Sequence, residues 1–591
     1  MNTIRDRIEA VRKDMTSDKL DAFIVPRADE YLGEYVPEHN ERLAYISGFT
    51  GSAGAVIILK DLAAVFVDGR YTIQVQQQVP SELFEYHHLI EDPPLKWLGR
   101  TLKASDRVGI DSRLHPYSFY QQAEATLAPL GITLVEMDTN PIDTHWSDRP
   151  TPEPQVAMLL GEEYTGEHSS LKRERIGAII EAEGGDAALI TQLDSIAWLL
   201  NIRGADVPRL PVLLGFAILR KNGDMTFFTD PRKIPNDLFQ HVGEGVEIRD
   251  EAKAVDAIEE LGKSGSKILV DKNTTNAYSV RRCIDYGCEI VSASDPVLIP
   301  KAQKNSIELN GMRNCHVRDG SAVSKYLSWL DSEVAASRLY HEGELSDRLE
   351  SFRRELSGIH DLSFDTISAS GANGALCHYN HTNGTPSMLE LDSLYLVDSG
   401  GQYADGTTDI TRTVAIGNAT SEHKHMFTLV LKGHIALATA VFPKGTSGVQ
   451  LDALARQFLW QEGFDYDHGT GHGVGTFLCV HEGPQRISKL PSPNAELRPG
   501  MVLSNEPGYY KEDCYGIRCE NLMIVNQRSD GMLNFETITF APFDRRLIET
   551  ELLTQNELRW INQYHQDVFE KLSPLMSGDS LTWLEQSTLT I

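Results

Sequence analysis

Apolar positions in this chain follow two alternating rhythms. Short apolar or alternating runs bounded by turn residues predict strands at Asp21-Ala-Phe-Ile-Val25, Val65-Phe-Val67, Leu394-Tyr-Leu-Val397, Val502-Leu503 and Ile517–Val525. Apolar residues at three- and four-residue spacing predict amphipathic helices at Met1–Lys13, Ser169–Ala182 and Leu451–Gln461. Asn305-Ser-Ile-Glu308 has the pattern of a capping box and predicts a helix carrying Met312, Val323, Leu327 and Leu330. Strands and helices interleave throughout, which places the chain in the α/β (α+β) class.

The pattern repeats on a larger scale. Asp21-Ala-Phe-Ile-Val25 matches Asp186-Ala-Ala-Leu-Ile190, and Leu43-Ala-Tyr-Ile-Ser-Gly-Phe49 matches Ser195-Ile-Ala-Trp-Leu-Leu-Asn201. Val65-Phe-Val-Asp68-Gly-Arg70 likewise parallels Phe227-Phe-Thr-Asp230-Pro-Arg232. Order and approximate offset persist across all three pairs, so duplication of one α/β unit explains them better than chance. The polar, proline-containing stretch Ser147-Asp-Arg-Pro-Thr-Pro-Glu-Pro154 is a natural linker. The expected domains are therefore residues 1–150, 155–304 and 305–591. The loop Gly48-Phe-Thr-Gly-Ser-Ala-Gly54 has the glycines of a phosphate cradle but lacks the lysine of a P-loop, and a packed turn fits it better.

Composition narrows the function. A chain of 591 residues with 41% apolar and 24% charged residues can build ordinary globular cores. No apolar run approaches the roughly 18 residues of a membrane span. The charged start Met1-Asn-Thr-Ile-Arg-Asp-Arg-Ile-Glu9 lacks the apolar centre of a signal peptide. Seven scattered cysteines without a CxxC pair suit reduced thiols and a cytoplasmic location. A net charge of −29 argues against nucleic acid, whose phosphates need a basic surface. Neither nucleic acid nor membrane is an expected partner.

The chemistry concentrates in the last third. Asp398 ends the strand Leu394–Val397 and precedes Ser399-Gly400; after the turn signal Asp405-Gly406, Thr407–Val414 returns as a strand. Folding about Tyr403–Ala404 would set Asp398 opposite Asp409, with Cβ atoms roughly 4.5–5.5 Å apart. Two such carboxylates repel unless a cation lies between them. Val502-Leu-Ser-Asn-Glu506-Pro-Gly508 repeats the arrangement, and pairing about Asp513 sets Glu506 opposite Glu520. One carboxylate hairpin alone is an ordinary pair of solvated acids. Two in one segment suggest an internal pseudo-twofold with metals at its axis.

Between the hairpins lies His468-Gly-Thr-Gly-His472-Gly-Val-Gly-Thr-Phe-Leu-Cys-Val-His481-Glu-Gly-Pro484. Its glycines permit close approach, and its histidines offer both ligands and acid–base groups near neutral pH. Asp467 and Glu482, beside two of those histidines, could be simple surface neighbours. Asp398, Asp409, His472, Glu506 and Glu520 together form an oxygen-rich set with one imidazole, suited to two divalent metals that activate water.

The series Cys377-His378-Tyr379, Val397-Asp-Ser-Gly400, Thr408-Asp-Ile-Thr-Arg412, His468-Gly-Thr-Gly-His472, Val480-His-Glu-Gly-Pro484, Asn505-Glu-Pro-Gly508 and Gly516-Ile-Arg-Cys-Glu520-Asn resembles the aminopeptidase P family. These are the Xaa-Pro aminopeptidases of the pita-bread metallopeptidase superfamily. Length and order resemble the long, three-domain cytosolic form over essentially the whole chain. The resemblance implies two creatinase-like N-terminal domains without metal, then a pita-bread catalytic domain. It implies two metal ions, manganese in family members, with Asp398 on one, His472 and Glu506 on the other, and Asp409 and Glu520 bridging. It implies substrate contact and proton transfer by His378, His468 and His481, with Glu506 taking the proton of the attacking water. Arg518 shares a strand face with Glu520 and would support a carboxylate or substrate, or form an ordinary ion pair. Cys519 stands where the family more often has an aliphatic residue, and Cys377, Cys479 and Cys519 are expected to face away from the ligands as small apolar residues.

The implied reaction removes the first residue of peptides with proline second. A homodimer formed through the catalytic domain is also implied, with Trp460 at its interface or in the core. Prolidase shares the site but usually lacks the extra domain; creatinase lacks the ligand set; and a non-enzymatic relative would have lost ligands.

Overall fold

The computed structural model describes residues 3–383, 386–490 and 496–591. Two compact units form, one of residues up to Leu160 plus Glu167–Leu298, the other of Gly161–Gly166 plus Ile299–Ile591.

The first unit holds two six-stranded sheets of the same design. One runs Glu85–His88, Ala63–Val67, Gly54–Leu59, Ala22–Pro26, Arg107–Ile110, Thr133–Glu136. The other runs Val246–Arg249, Met225–Phe228, Phe216–Arg220, Ala187–Ile190, Lys267–Val270, Glu289–Ser292. In both, two antiparallel pairings at the centre are flanked by parallel ones. The central strands are apolar on both faces because helices cover both. Phe23 and Val25 pack with Ile8, Val11 and Met15 of the N-terminal helix, while Ala22 and Ile24 pack with Leu95, Leu98 and Leu127.

Each of the three sequence repeats occupies the same place in both sheets. Ala22–Pro26 and Ala187–Ile190 are the equivalent inner strands. The helices Arg42–Ser47 and Leu193–Leu200 both end on a left-handed residue, Gly48 at φ +83° and Asn201 at φ +52°. Arg70 folds back onto Asp68, and Arg232 onto Asp230, through paired N–H donors. The N-terminal helix spans Ile4–Ser17 with Thr3 and Asp6 as its capping box, so Met1 and Asn2 of the expected helix lie outside the described residues. Gly51 is a packed turn residue: a Cβ there would meet the Phe49 ring at 2.2 Å.

In the second unit the predicted capping box is present, and Asn305 starts a helix that runs Ser306–Ala335. Residues 161–166, expected in the second domain, pack here because Asn305 Nδ2 also donates to Thr165 O at 2.8 Å. Strand alternation then decides what Ser393–Ser399 offers. Tyr395 and Val397 face the long helix through Val323, Tyr326 and Leu327, whereas Leu394 and Leu396 face other clusters on the opposite side. Asp398 continues that opposite side. Ser393–Ser399 pairs along its length with Ile410–Ile416. A six-stranded sheet carries Gly471–Gly473 and Val502–Asn505 at adjacent positions, with Asn521–Gln527 next. The helices Ser421–Ala438 and Gly448–Trp460 supply core residues such as Leu437, Leu451 and Ala455 beneath Met501, Leu503 and Met523. No described helix is long and apolar enough to cross a membrane.

Candidate metal centre

Register brings the carboxylates together. In the second hairpin, Asn505 pairs with Asn521 and Gly508 with Arg518, leaving Glu506 and Glu520 between those pairs on facing strands. Asp513 at the turn has φ +55°, as the expected centre requires.

The first hairpin turns one residue later than the sequence suggests. Tyr403 pairs with Gly406, so Ala404–Asp405 form the turn and Asp398 pairs with Thr411 rather than Asp409. Pairing partners shift by two, and a two-residue shift keeps the same face. Asp409 therefore stays on the Asp398 side as a diagonal neighbour.

Among the described residues, Asp409, His472 and Glu520 each offer a donor atom within 4.8 Å of the others. His472 Nε2 is 3.4 Å from Asp409 Oδ2 and 3.5 Å from Glu506 Oε1. Its Nδ1 faces Gly473 O at 3.0 Å, which leaves Nε2 for a ligand if Nδ1 carries the proton. Thr411 Oγ1 donates to Glu520 Oε2 at 2.7 Å, and Ser504 Oγ donates to Glu506 Oε1 at 3.2 Å. Asp398 Oδ2 accepts from Arg518 at 2.6 Å, while its buried Oδ1 has no hydrogen-bond partner among the described residues.

The electrostatics describe a site built for cations. Burial raises the Asp398 carboxyl to about 7; Arg518 opposes this, and Asp409 and Glu506 add to it. Burial also raises Glu506, and it lifts Glu520 well above the carboxylate range with help from Asp409 and Asp398. Burial alone would lower His472, but Asp409 and Glu506 raise it to about 9. Three buried acids and the half-buried Glu506 around one imidazole are mutually repulsive, and divalent cations would relieve that repulsion. This donor set could hold hard or borderline divalent ions.

The remaining expected residues surround this core. The His481 ring meets the His472 ring edge-on, with centroids 4.3 Å apart. His468 Nε2 lies 2.8 Å from the Tyr510 hydroxyl. Arg518 gives Nε to Thr411 at 3.0 Å and one terminal nitrogen to Tyr510 at 2.8 Å, besides its bond to Asp398. Its guanidinium is thus committed to Asp398, Thr411 and Tyr510. His378 sits half-buried in the turn after the 3₁₀ segment Gly371–Ala375. That segment is pressed onto the Arg518 strand, where a Cβ on Gly516 would lie 1.7 Å from Gly374 O.

Several functional neighbours escaped the sequence reading. Tyr510 and Thr411 join Arg518 to His468 and Glu520 but belong to ordinary strand patterns. His434, a single histidine in an apolar helix, lies 3.1 Å from Asn505 O and 3.2 Å from Cys519 O, clamping the residues beside Glu506 and Glu520. Burial, with Arg412 nearby, lowers it to about 3, so it acts as a neutral ring. Glu482 is no surface neighbour: it is buried between Lys301 at 3.1 Å and Lys304. Cys519 is buried as expected, but Cys377 and Cys479 are only half-buried, and neither lies on a strand. Cys377 comes near both Tyr510 and Arg518.

Residues 310–527 match the family described as metallopeptidase family M24, and 531–591 match the C-terminal region of peptidase M24. Residues 7–140 and 148–308 each match the creatinase/prolidase N-terminal domain. A relative named probable Xaa-Pro aminopeptidase P from Coprinopsis cinerea is 38% identical, covering 99% of this chain and 98% of its own. This chain belongs to the aminopeptidase P branch of the M24 metallopeptidases. A Neurospora crassa relative of the same name is 39% identical over 99% of this chain and 88% of its own. The crystal structure of an X-prolyl aminopeptidase from Caenorhabditis elegans, described as a cytosolic enzyme with a di-nuclear active site, superposes with a TM-score of 0.95 at 32% identity and covers both chains completely. A Xaa-Pro dipeptidase from Bacillus anthracis covers 64% of this chain and 99% of its own, with a TM-score of 0.50 and 25% identity.

Proposed function

We propose that the protein is a dinuclear metallo-aminopeptidase that removes the N-terminal residue from peptides with proline in the second position. One observation carries this reading: three buried carboxylates, the half-buried Glu506 and one imidazole converge within an aminopeptidase P chain, with Asp409, His472 and Glu520 donors inside 4.8 Å. Asp398 would hold one cation, His472 and Glu506 would hold the other, and Asp409 and Glu520 would be shared between them. The oxygen-rich set suits manganese. When bound, two such ions lower the pKa of a shared water and polarise the scissile carbonyl.

The protein's own groups do the rest. Glu506, oriented by Ser504, accepts the proton of the attacking water. His481, packed on His472, stabilises the negative charge that develops on the carbonyl oxygen. His378 passes a proton to the proline nitrogen, which must be protonated to leave as a secondary amine. His468 contacts substrate, and Arg518 holds Asp398 while meeting the substrate through Tyr510.

The full-length match to an X-prolyl aminopeptidase favours peptides longer than two residues. We also place the protein in the cytoplasm, as its C. elegans counterpart is described, and as a homodimer. Trp460 and Phe464 are 45% and 39% exposed on the catalytic unit, as an interface would require.

Hydrolysis of Arg-Pro, Arg-Pro-Pro and Arg-Ala-Pro by manganese-loaded protein tests the reading. Arg-Pro-Pro should be cut at its first bond and Arg-Pro no faster. Arg-Ala-Pro should be about 10- to 200-fold slower if the ring fills an apolar pocket. Preference for the dipeptide would move the assignment to prolidase, and equal rates on the alanine peptide would remove the proline pocket.

A further inference from the structure

Glu342 opens the helix Glu342–Arg354 and is fully buried, yet among the described residues no lysine or arginine pairs with it. Its carboxylate instead gathers the segment around His378. Oε1 accepts from Ser370 N at 2.7 Å and Asn373 Nδ2 at 2.9 Å. Oε2 accepts from the Tyr379 hydroxyl at 2.7 Å and Ser387 N at 2.7 Å. The backbone repeats the tie, with Glu342 N donating to Ser387 O at 3.0 Å and Ser368 Oγ donating to Glu342 O at 2.7 Å. These donors belong to the strand end before His378, the 3₁₀ turn, the residue after His378 and the returning chain. An ionised carboxylate is acceptor-only and has room for several donors on two oxygens. Three of the four partners present N–H groups, so no neutral amide can replace it without setting a donor against a donor.

We infer that Glu342 is a positioning residue: its buried carboxylate ties down Ser370, Asn373, Tyr379 and Ser387 and thereby sets where His378 meets the substrate. The inference rests on the role proposed for His378 above. The test compares full-length, manganese-loaded wild type, Glu342→Gln, His378→Ala and the double variant on Arg-Pro-Pro, with metal content measured on each. Glu342→Gln should lower kcat about 10- to 100-fold, the range expected of a misplaced group, with metal content unchanged. Added to His378→Ala it should lower kcat by less than about twofold, because both changes remove the same contribution.

A wild-type kcat in Glu342→Gln, loss of its metals, or a full further loss in the double variant would overturn the inference. If Glu342→Gln fails to fold, Tyr379→Phe removes one donor and keeps the anion. It should lower kcat by about threefold or more, with the same non-additivity toward His378→Ala, and a wild-type rate would overturn the inference. If His378→Ala alone keeps wild-type turnover, the proposed role of His378 fails and the inference falls with it. That failure is read from the single variant and is distinct from the other outcomes.

Discussion

Arg518→Lys keeps a positive charge beside Asp398 and removes the fork that holds it. The native guanidinium makes three bonds at once, to Asp398 at 2.6 Å, Thr411 at 3.0 Å and Tyr510 at 2.8 Å. A lysine ammonium is a compact point charge on a flexible stem and cannot span the three partners with a planar donor set. If it keeps the Asp398 contact, Thr411 and Tyr510 each lose a buried partner, at about 1–3 kcal/mol apiece. Thr411 also donates to Glu520, and Tyr510 also contacts His468, so the loss spreads to the carboxylate proposed as a bridge and the histidine proposed to contact substrate. A total of about 2–6 kcal/mol corresponds to at least a roughly 30-fold fall in kcat/KM, at 1.36 kcal/mol per factor of ten. Steady-state kinetics on Arg-Pro-Pro would measure it, with elemental analysis to follow occupancy. A variant within threefold of wild type in kcat/KM, with full metal content, would refute the argument that the fork matters.

Three further outcomes are expected. Asp409→Asn and Glu520→Gln should each bind fewer than two equivalents of metal and lose activity, and His472→Ala should also lose metal, whereas His481→Ala should retain it with a reduced kcat; elemental analysis alongside turnover checks all four. Trp460→Glu should convert a dimer to a folded monomer in sedimentation, and a monomeric wild type would dismiss the interface. Asp29 is fully buried with Oδ2 unpartnered, and burial, with Glu30 adding, raises it to about 7. A raised carboxyl means the folded state holds a proton that the unfolded chain releases near pH 4, so its contribution to stability falls as pH rises from about 4 to 7. Asp29→Asn should therefore raise the melting temperature at pH 8, by up to about 4 kcal/mol of stability, and change it little at pH 4, as calorimetry at the two values would show.

Much of the centre was legible because its residues lie where local rules are strong. Strand, carboxylate and turn occur in sequence at Asp398 and Glu506, and the turn at Asp513 sets the second register to the residue. The first register was displaced because Tyr403, Ala404 and Asp405 offer two neighbouring turn positions, and only the pairing of Tyr403 with Gly406 selects one. The strand period of two spared the face assignment from that error. Duplication of the first unit was readable for a similar reason, since both copies need the same left-handed helix ends and the same Asp–Arg returns.

Side-chain partnerships across long separations were not legible. Nothing local distinguishes Glu342 from the exposed Glu344 two residues later, yet one is enclosed by four donors from a distant loop. His434 reads as one polar residue in an apolar helix until the fold lays it against Asn505 and Cys519. Glu482 reads as a surface acid until Lys301 and Lys304 close on it. Chain order determined the ligand types, their strands and the turns that fold them. Tertiary structure decided which buried groups pair, because burial and partnership depend on segments 28 to 181 residues away, whose approach no local pattern encodes.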